Sequence, residues 1–328
     1  MTPLLDIQDL RVTLRDRTDT PVLHGLSFSV MPGETLAMVG ESGCGKSVAA
    51  LSMMRLLPPA LRVASGRVLL DGQDLLRLPA RAMRAVRGGR IGMVFQEPMT
   101  SLNPAIPVGA QVAEVLRAHQ RLSATAARSR VVELLDLVRI PDPRAAARAY
   151  PHRLSGGQRQ RVVIAVAVAC RPALLIADEP TTALDVTTQH EIMALIADLQ
   201  AEMGSAVLLV THNMGLVAQF ASRVVVMYAG RKVEEAGVQA VFRTPHHPYT
   251  RGLLHATPDP ARPRPSDGLV LQDIPGTVPP LAAMPPGCAF APRCDRAVSR
   301  CRTERPVLAA TPGGLAACFV TAPLASAA

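Results

Sequence analysis

Eight residues constrain this chain more than any others: Gly40-Glu41-Ser42-Gly43-Cys44-Gly45-Lys46-Ser47. The glycines let the backbone curl so that successive N–H groups surround phosphate oxygens. A lysine then reaches the β- and γ-phosphates, and a serine hydroxyl ligates Mg2+. The choice of lysine is informative, because Lys46 and Lys232 are the two lysines among thirty-five basic side chains. A planar guanidinium does not replace a compact ammonium inside such a ring. The surroundings agree: Thr35 to Val39 is a short apolar run leading in, and Val48 to Leu57 reads as a helix leading out. A glycine-rich turn that ends in Lys-Ser by chance needs neither strand nor helix. The motif therefore predicts a phosphate-binding loop in a strand–loop–helix unit, and with it a nucleotide site.

The rest of the chain reads as α/β. Leu10–Leu14 and Leu26–Val30 alternate apolar and polar residues, as half-buried antiparallel strands do. Arg67–Leu70 followed by Asp71-Gly72 adds a strand and a tight turn. Residues 108–150 are rich in Ala, Leu, Arg and Glu and read as helices, within a helical subdomain of about 100–160. Ala173–Ala177, Ala206–Val210 and Val224–Tyr228 are apolar strands separated by helical stretches, the pattern of a parallel sheet covered on both faces. The texture changes near Thr244: fifteen of the 29 prolines and four of the six cysteines lie from there to the end. Regular helices do not persist through such proline density. The expected division is a nucleotide-binding domain over 1–240 and a loop-rich module, with little means of burying a core of its own, over 241–328.

Composition removes several classes. The longest apolar run, Val162–Cys170, spans nine residues, against the ~20 that cross a bilayer. Asp6 and Asp9 interrupt the first ten residues, so no secretory segment is expected there. A soluble cytosolic chain follows, seated on a membrane surface at most. The net charge is +9, but the arginines are scattered, and with no Trp and three Tyr there is little to stack on bases. Nucleic acid is not an expected partner.

Two further segments carry chemistry. Leu174–Asp178 followed by Glu179 is an apolar strand ending in two carboxylates, one placed to hold the Mg2+ shell and the next to polarise an attacking water. Ser155-Gly156-Gly157-Gln158 precedes an apolar helix, where N–H groups and the helix dipole favour an anion. With Leu154 and Arg159-Gln160 it resembles the signature of ABC-superfamily ATPases. The remaining motifs of that family follow in order: Gln96 in Met93–Pro98 (the Q-loop), Asp185 in Ala183-Leu184-Asp185 (the D-loop), and His212 after Val207–Thr211. Gln96–Pro104, His247–Leu254 and the cysteine-bearing Gly287–Cys294 resemble the oligopeptide/dipeptide (nickel) branch of the importers.

The resemblance implies an ABC-type nucleotide-binding domain with a RecA-like parallel-sheet core, an antiparallel β-subdomain and a helical subdomain. It implies an ATPase coupled to transmembrane transport of peptides or related solutes. Two such domains, identical or homologous, meet head to tail. ATP then lies between Gly40, Glu41, Ser42, Gly43, Cys44, Gly45, Lys46 and Ser47 of one subunit and Ser155, Gly156, Gly157 and Gln158 of the other. Mg2+ is held through Ser47, Gln96 and Asp178; Glu179 is the general base; His212 meets the γ-phosphate; Asp185 links the two sites. Two integral-membrane permeases are the further partners, with a solute-binding protein acting indirectly, and residues 96–110 receive a permease helix. The location implied is peripheral, on the cytoplasmic face of the inner membrane. The alternative is a non-transport ATPase subunit of a soluble multienzyme complex, which lacks a Cys-rich module.

Two departures stand out. Family members carry an aromatic ring before the P-loop that stacks on adenine; here Met1 to Ser27 holds no Phe, Tyr or Trp, and Leu14 stands about where the ring is expected. Weak adenine discrimination is the consequence expected. Cys44, beside Lys46, is expected to be a reactive thiol, and Cys170 a buried structural one. Cys288, Cys294, Cys301 and Cys318 are spaced C-x5-C-x6-C-x16-C. In a cytosolic chain four clustered thiols suggest a metal. The absence of close C-x2–4-C pairs favours a 4Fe–4S cluster over zinc, as does the resemblance. Four reduced thiols packed as small hydrophobes are the remaining reading.

Overall fold

The structure is a computed structural model, and it describes residues 2–15, 20–97, 101–182, 184–256 and 274–321. Pro98, Met99 and Thr100 of the Q-loop segment, Ala183 of the D-loop, and 257–273 and 322–328 of the C-terminal module lie outside the described residues. The chain divides into two compact units that interleave in sequence: Met1–Leu5, Val30–Thr35 and Leu69–Leu209 form one, and Asp6–Ser29, Leu36–Val68 and Val210–Ala328 the other.

In the first unit, strands β6 (Ile91–Val94), β7 (Leu174–Asp178) and β8 (Ala206–Thr211) are adjacent in the order β8-β7-β6. β6 and β7 run parallel with Ile91 opposite Leu174 and Val94 opposite Ala177. Every residue of the three strands is buried, which is why they read as unbroken apolar runs rather than alternating ones. Gly92 has no side chain because a Cβ there would stand 2.2 Å from the Ala167 carbonyl oxygen. That contact sets helix α6 (Gly156–Val168) directly on β6. Helices α3 (Val108–His119), α4 (Ala124–Leu137) and α5 (Pro143–Arg148) pack on one another, matching the helices expected over 108–150. Helix α7 (Val186–Met203) ends at Gly204 in the left-handed conformation, φ 67°, the usual glycine stop.

In the second unit the strands β1 (Leu5–Leu14), β2 (Pro21–Val30) and β4 (Leu61–Leu70) lie in the order β2-β1-β4. Alternation is visible but shifts once in each of the first two. The buried positions step from Ile7 to Leu10 and from Leu23 to Leu26, across Asp9 at φ 46° and Gly25 at φ 85°. A Cβ at Gly25 would meet the Asp9 carboxylate at 2.4 Å, so these two irregularities face each other. In the first unit, where β4 ends, Asp71 and Gly72, at φ 47° and 77°, make the tight turn into β5 (Gln73–Asp74), antiparallel to β4, with the positive dihedrals of a type I′ hairpin. Helix α1 (Lys46–Met53) is shorter than expected, stopping where Arg55 turns to φ 52° ahead of Pro58-Pro59.

The other sheet region of this unit has the order β11-β12-β10-β9-β3. β3 (Thr35–Val39) and β9 (Arg223–Tyr228) are parallel. β10 (Arg231–Gly237) is antiparallel to β9, and β12 (Gly314–Ala316) to β10, with β11 (Ala309–Thr311) closing a hairpin. The C-terminal residues thus extend this sheet. They also share its core: Tyr249 in helix α10 (Pro248–His255) and Phe290 pack with Val39, Val226 and Tyr228. Ring centroids are 4.6 Å apart for Tyr228–Tyr249 and 5.2 Å for Tyr228–Phe290, both edge-on, a geometry worth ~0.5–1.5 kcal/mol per pair beyond burial. The residues after 244 were expected to have little means of burying a core of their own. They lack a core of their own and complete one supplied by β3, β9 and β10. Helix α9 (Val238–Arg243) and the short α11 (Ser299–Thr303) complete the regular elements of this region. Among the described residues no helix is long and apolar enough to cross a membrane.

Candidate nucleotide site and signature groove

The loop after β3 is built by its glycines. Gly40, Gly43 and Gly45 have φ of 150°, 78° and 102°. A Cβ at Gly40 would stand 2.3 Å from the Met227 carbonyl oxygen, and one at Gly45 would stand 2.7 Å from the Leu23 side chain. Gly45 is also the N-cap of α1 and supplies no side-chain acceptor, leaving the helix N-terminus open to an anion in place of a side-chain cap. Lys46 is buried, and its Nζ donates to the Gly40 and Glu41 carbonyls at 2.7 and 3.1 Å. Cys44 is fully buried behind the loop, and burial pushes its thiol up against the opposing pull of Lys46. The expected reactive thiolate is therefore corrected to a neutral packing group.

Glu41 is held from a distance in sequence. Arg293 donates from both terminal nitrogens to its carboxylate, at 2.6 and 2.9 Å, and the Glu41 N–H donates to the Tyr249 hydroxyl at 2.7 Å. Arg293 also donates to the Pro275 carbonyl at 2.8 Å, and its side chain is 4% exposed. The hydrogen bonds to Glu41 raise the Arg293 pKa further. Arg293 and Tyr249 were not among the predicted site residues. Their partner lies 252 and 208 positions away, a separation no local pattern reports.

In the first unit Asp178 ends β7 buried, and Glu179 follows with φ 47°. The Glu179 carboxylate accepts from Gln96 Nε2 at 3.0 Å and from Thr182 Oγ1 at 3.1 Å. Gln96 and Glu179 are thus brought together, and Thr182 joins them. Ser155 caps α6: its Oγ accepts from the Gln158 N–H at 3.2 Å while Gln158 Oε1 accepts from the Ser155 N–H at 3.0 Å, a full capping box. Asp185 caps α7 through the Thr188 N–H and hydroxyl at 2.9 and 2.8 Å, and these bonds hold its carboxyl below the usual range. Ser155, Gly156, Gly157, Gln158 and Asp185 line one open groove of about 420 Å3 with Thr188. A Cβ at Gly157 would meet the Thr188 methyl at 3.0 Å, so glycine keeps this groove open.

His212 lies in the second unit, exposed on the short turn between Thr211 and the Asn213 cap of helix α8 (Met214–Phe220). Leu14, where an adenine-stacking ring was expected, is half-buried at the end of β1. Cys170, expected as a buried structural thiol, lies half-buried in a turn after α6. Cys288, Cys294, Cys301 and Cys318 are reduced and line a single void of about 10 Å3 with His247. Burial raises Cys288 and Cys318, and pushes Cys294 up to about 11. Among the described residues no three His, Cys, Asp or Glu are grouped as the ligands of a metal ion. The expected zinc or iron–sulfur site gains no support from ligand spacing.

Residues 23–182 match the ABC transporter family, and residues 233–301 match the oligopeptide/dipeptide transporter C-terminal region. The probable peptide ABC transporter ATP-binding protein y4tR of Sinorhizobium fredii is 51% identical, over 96% of this chain and 94% of that protein. The chain belongs to the ABC transporter ATPases. The oligopeptide transport ATP-binding protein OppD of Mycobacterium tuberculosis is also 51% identical, over 94% of this chain and 50% of its own length. Among solved structures, a dimeric ATP-binding cassette in a post-hydrolysis state, bound to ADP and Pi, aligns at a TM-score of 0.64 and 28% identity. That alignment covers 71% of this chain and 98% of the cassette. As an ABC ATPase, this protein binds ATP and couples its hydrolysis to transport.

Proposed function

We propose that this ABC ATPase energises peptide import. It works as a peripheral subunit on the cytoplasmic face of the inner membrane, paired with a second ATPase subunit and two permeases. The observation that carries the reading is the place of the peptide-transporter region: Arg293 and Tyr249, both within 233–301, bind Glu41 of the phosphate loop. A soluble multienzyme role leaves that region without a purpose. The chain then comprises a nucleotide-binding domain over 1–240 and a Cys- and Pro-rich module over 241–328.

Within the site, Ser47, Gln96 and Asp178 supply oxygen donors suited to Mg2+, which when bound neutralises phosphate charge. Lys46 turns from the loop carbonyls to the β/γ-phosphates. Glu179, oriented by Gln96 and Thr182, accepts the proton of the attacking water. His212 contacts the γ-phosphate, while Ser155, Gly156, Gly157 and Gln158 present the α6 N-terminus to the nucleotide of the facing subunit. Asp185, in the same groove, carries the state of one site to the other. For the C-terminal cysteines a 4Fe–4S cluster rests on donor type alone: four thiols line one void, and among the described residues no three are grouped as ligands of a metal ion. That void has the space of about one water, so the sulfurs must part to admit the group, which when bound cross-links the module.

Uptake tests the reading. Cells lacking this chain should lose accumulation of a radiolabelled oligopeptide, and wild-type protein should restore it while Glu179→Gln does not. Normal peptide uptake without the chain would remove peptide import as its role.

A further inference from the structure

A cavity of about 370 Å3 opens in the second unit between the irregular stretches of β1 and β2, strand β10 and residues 287–308. Its volume is that of a small-molecule site, and it includes no residue of the phosphate loop 40–47. Arg11 and His24 reach it from the strand faces opposite the buried Leu10, Val12 and Leu23, Arg231 from the start of β10, and Arg305 from beyond α11. Val233 and Phe290 form part of an apolar wall behind them.

The charges here are unbalanced. Arg11 is paired with Asp9 at 3.0 Å, and Lys232 with Glu235 and the Ser27 carbonyl. Among the described residues Arg305 donates only to uncharged carbonyls, those of Pro286 at 3.0 Å and Pro285 at 3.4 Å. Arg231 has no hydrogen bond or carboxylate partner among the described residues. A half-buried Arg231 and an exposed Arg305 therefore share the cavity, and among the described residues the one carboxylate that lines it, Asp9, is taken by Arg11. Burial first, then Arg305 and Arg11, pull Arg231 down to about 10, and burial first, then Arg231, Arg305 and Arg11, pull the neighbouring His24 down to about 4. Like charges beside an apolar wall repel more strongly than in water, and an anion between them reverses the sign of that interaction. The planar guanidinium fork matches a phosphate in particular.

We propose that this cavity binds a phosphate-bearing anion with an apolar body, Arg231 and Arg305 taking the phosphate and the Val233–Phe290 wall the remainder. The site goes beyond ATP hydrolysis and does not depend on what is transported.

The experiment uses the full chain carrying Lys46→Ala, which weakens phosphate binding at the P-loop. Inorganic pyrophosphate, titrated calorimetrically at low salt, should bind at about one per chain and raise the melting temperature. Adding Arg231→Gln or Arg305→Gln should weaken it at least ~10-fold, whereas Arg302→Gln, an exposed arginine outside the cavity, should not. Without pyrophosphate, Arg231→Gln should melt no lower than its parent, because it removes a repulsion; this separates lost binding from misfolding. Vesicles of phosphatidylglycerol, compared with phosphatidylcholine, identify the source. Arg231-dependent sedimentation with the former assigns a lipid headgroup, and pyrophosphate binding without sedimentation assigns a soluble organic phosphate. Absence of both, or binding indifferent to Arg231 and Arg305, overturns the site.

Discussion

Glu179 occupies a left-handed backbone conformation that costs a non-glycine residue ~1–3 kcal/mol and tends to persist at functional sites. The turn sets its carboxylate where Gln96 and Thr182 both donate to it, so orientation is fixed before any water arrives. Glu179→Gln should keep nucleotide binding and lower steady-state hydrolysis at least ~10²-fold, since the base is lost and the phosphate cradle is not. Lys46→Ala should instead weaken nucleotide binding itself. Thr182→Ala, removing one hydrogen bond to the carboxylate worth ~1.5 kcal/mol, should slow turnover about tenfold. Near-wild-type hydrolysis by Glu179→Gln would exclude it as the base. The acid pair itself was legible in sequence, because an apolar run ending in Asp-Glu downstream of a phosphate loop has few other uses. Thr182 was not, since nothing local distinguishes it from Thr181.

At the scale of elements, caps and turns were the most readable features. Ser155 with Gln158 announces the start of α6, and Asp71-Gly72 announces the hairpin. The clamp on the phosphate loop was hidden. Arg293 lies in a short 3-10 turn at Ala291–Arg293, next to Cys294, yet it ends on Glu41. A buried ion pair that loses one partner leaves an uncompensated charge, at a cost of ~3–5 kcal/mol when both are buried; Glu41 is 29% exposed, so less is expected here. Arg293→Ala should weaken ATP binding about tenfold and lower the melting temperature, with Arg293→Lys restoring part of each and Tyr249→Phe giving a smaller loss. Titration of nucleotide against each variant is the check. Unchanged affinity in Arg293→Ala would confine the clamp to stability.

For the whole molecule, the C-terminal residues are neither a tail nor a self-sufficient domain. They add β11 and β12 to a sheet and Tyr249 and Phe290 to a core begun by β3 and β9. If the cysteines hold a cluster, anaerobically purified protein should be brown with about four iron and four sulfide per chain. Cys294→Ser and Cys301→Ser should bleach it, and Cys170→Ser should not. Colourless protein with four titratable C-terminal thiols would leave them as packing groups, and tightly held zinc would replace one metal by another. The shared aromatic core predicts that bleached variants keep β10, α10 and the ATPase folded. Sequence alone determined the nucleotide loop, the acid pair, the signature and the alternation of strands and helices, because each is a short-range pattern tied to backbone period or a fixed spacing. The tertiary structure decided that Cys44 is buried, that Arg293 holds Glu41 of the phosphate loop, and that Arg11, Arg231 and Arg305 from three segments meet around one cavity. Those outcomes depend on burial and on contacts across most of the chain, where a residue's charge is set by neighbours that its sequence position does not reveal.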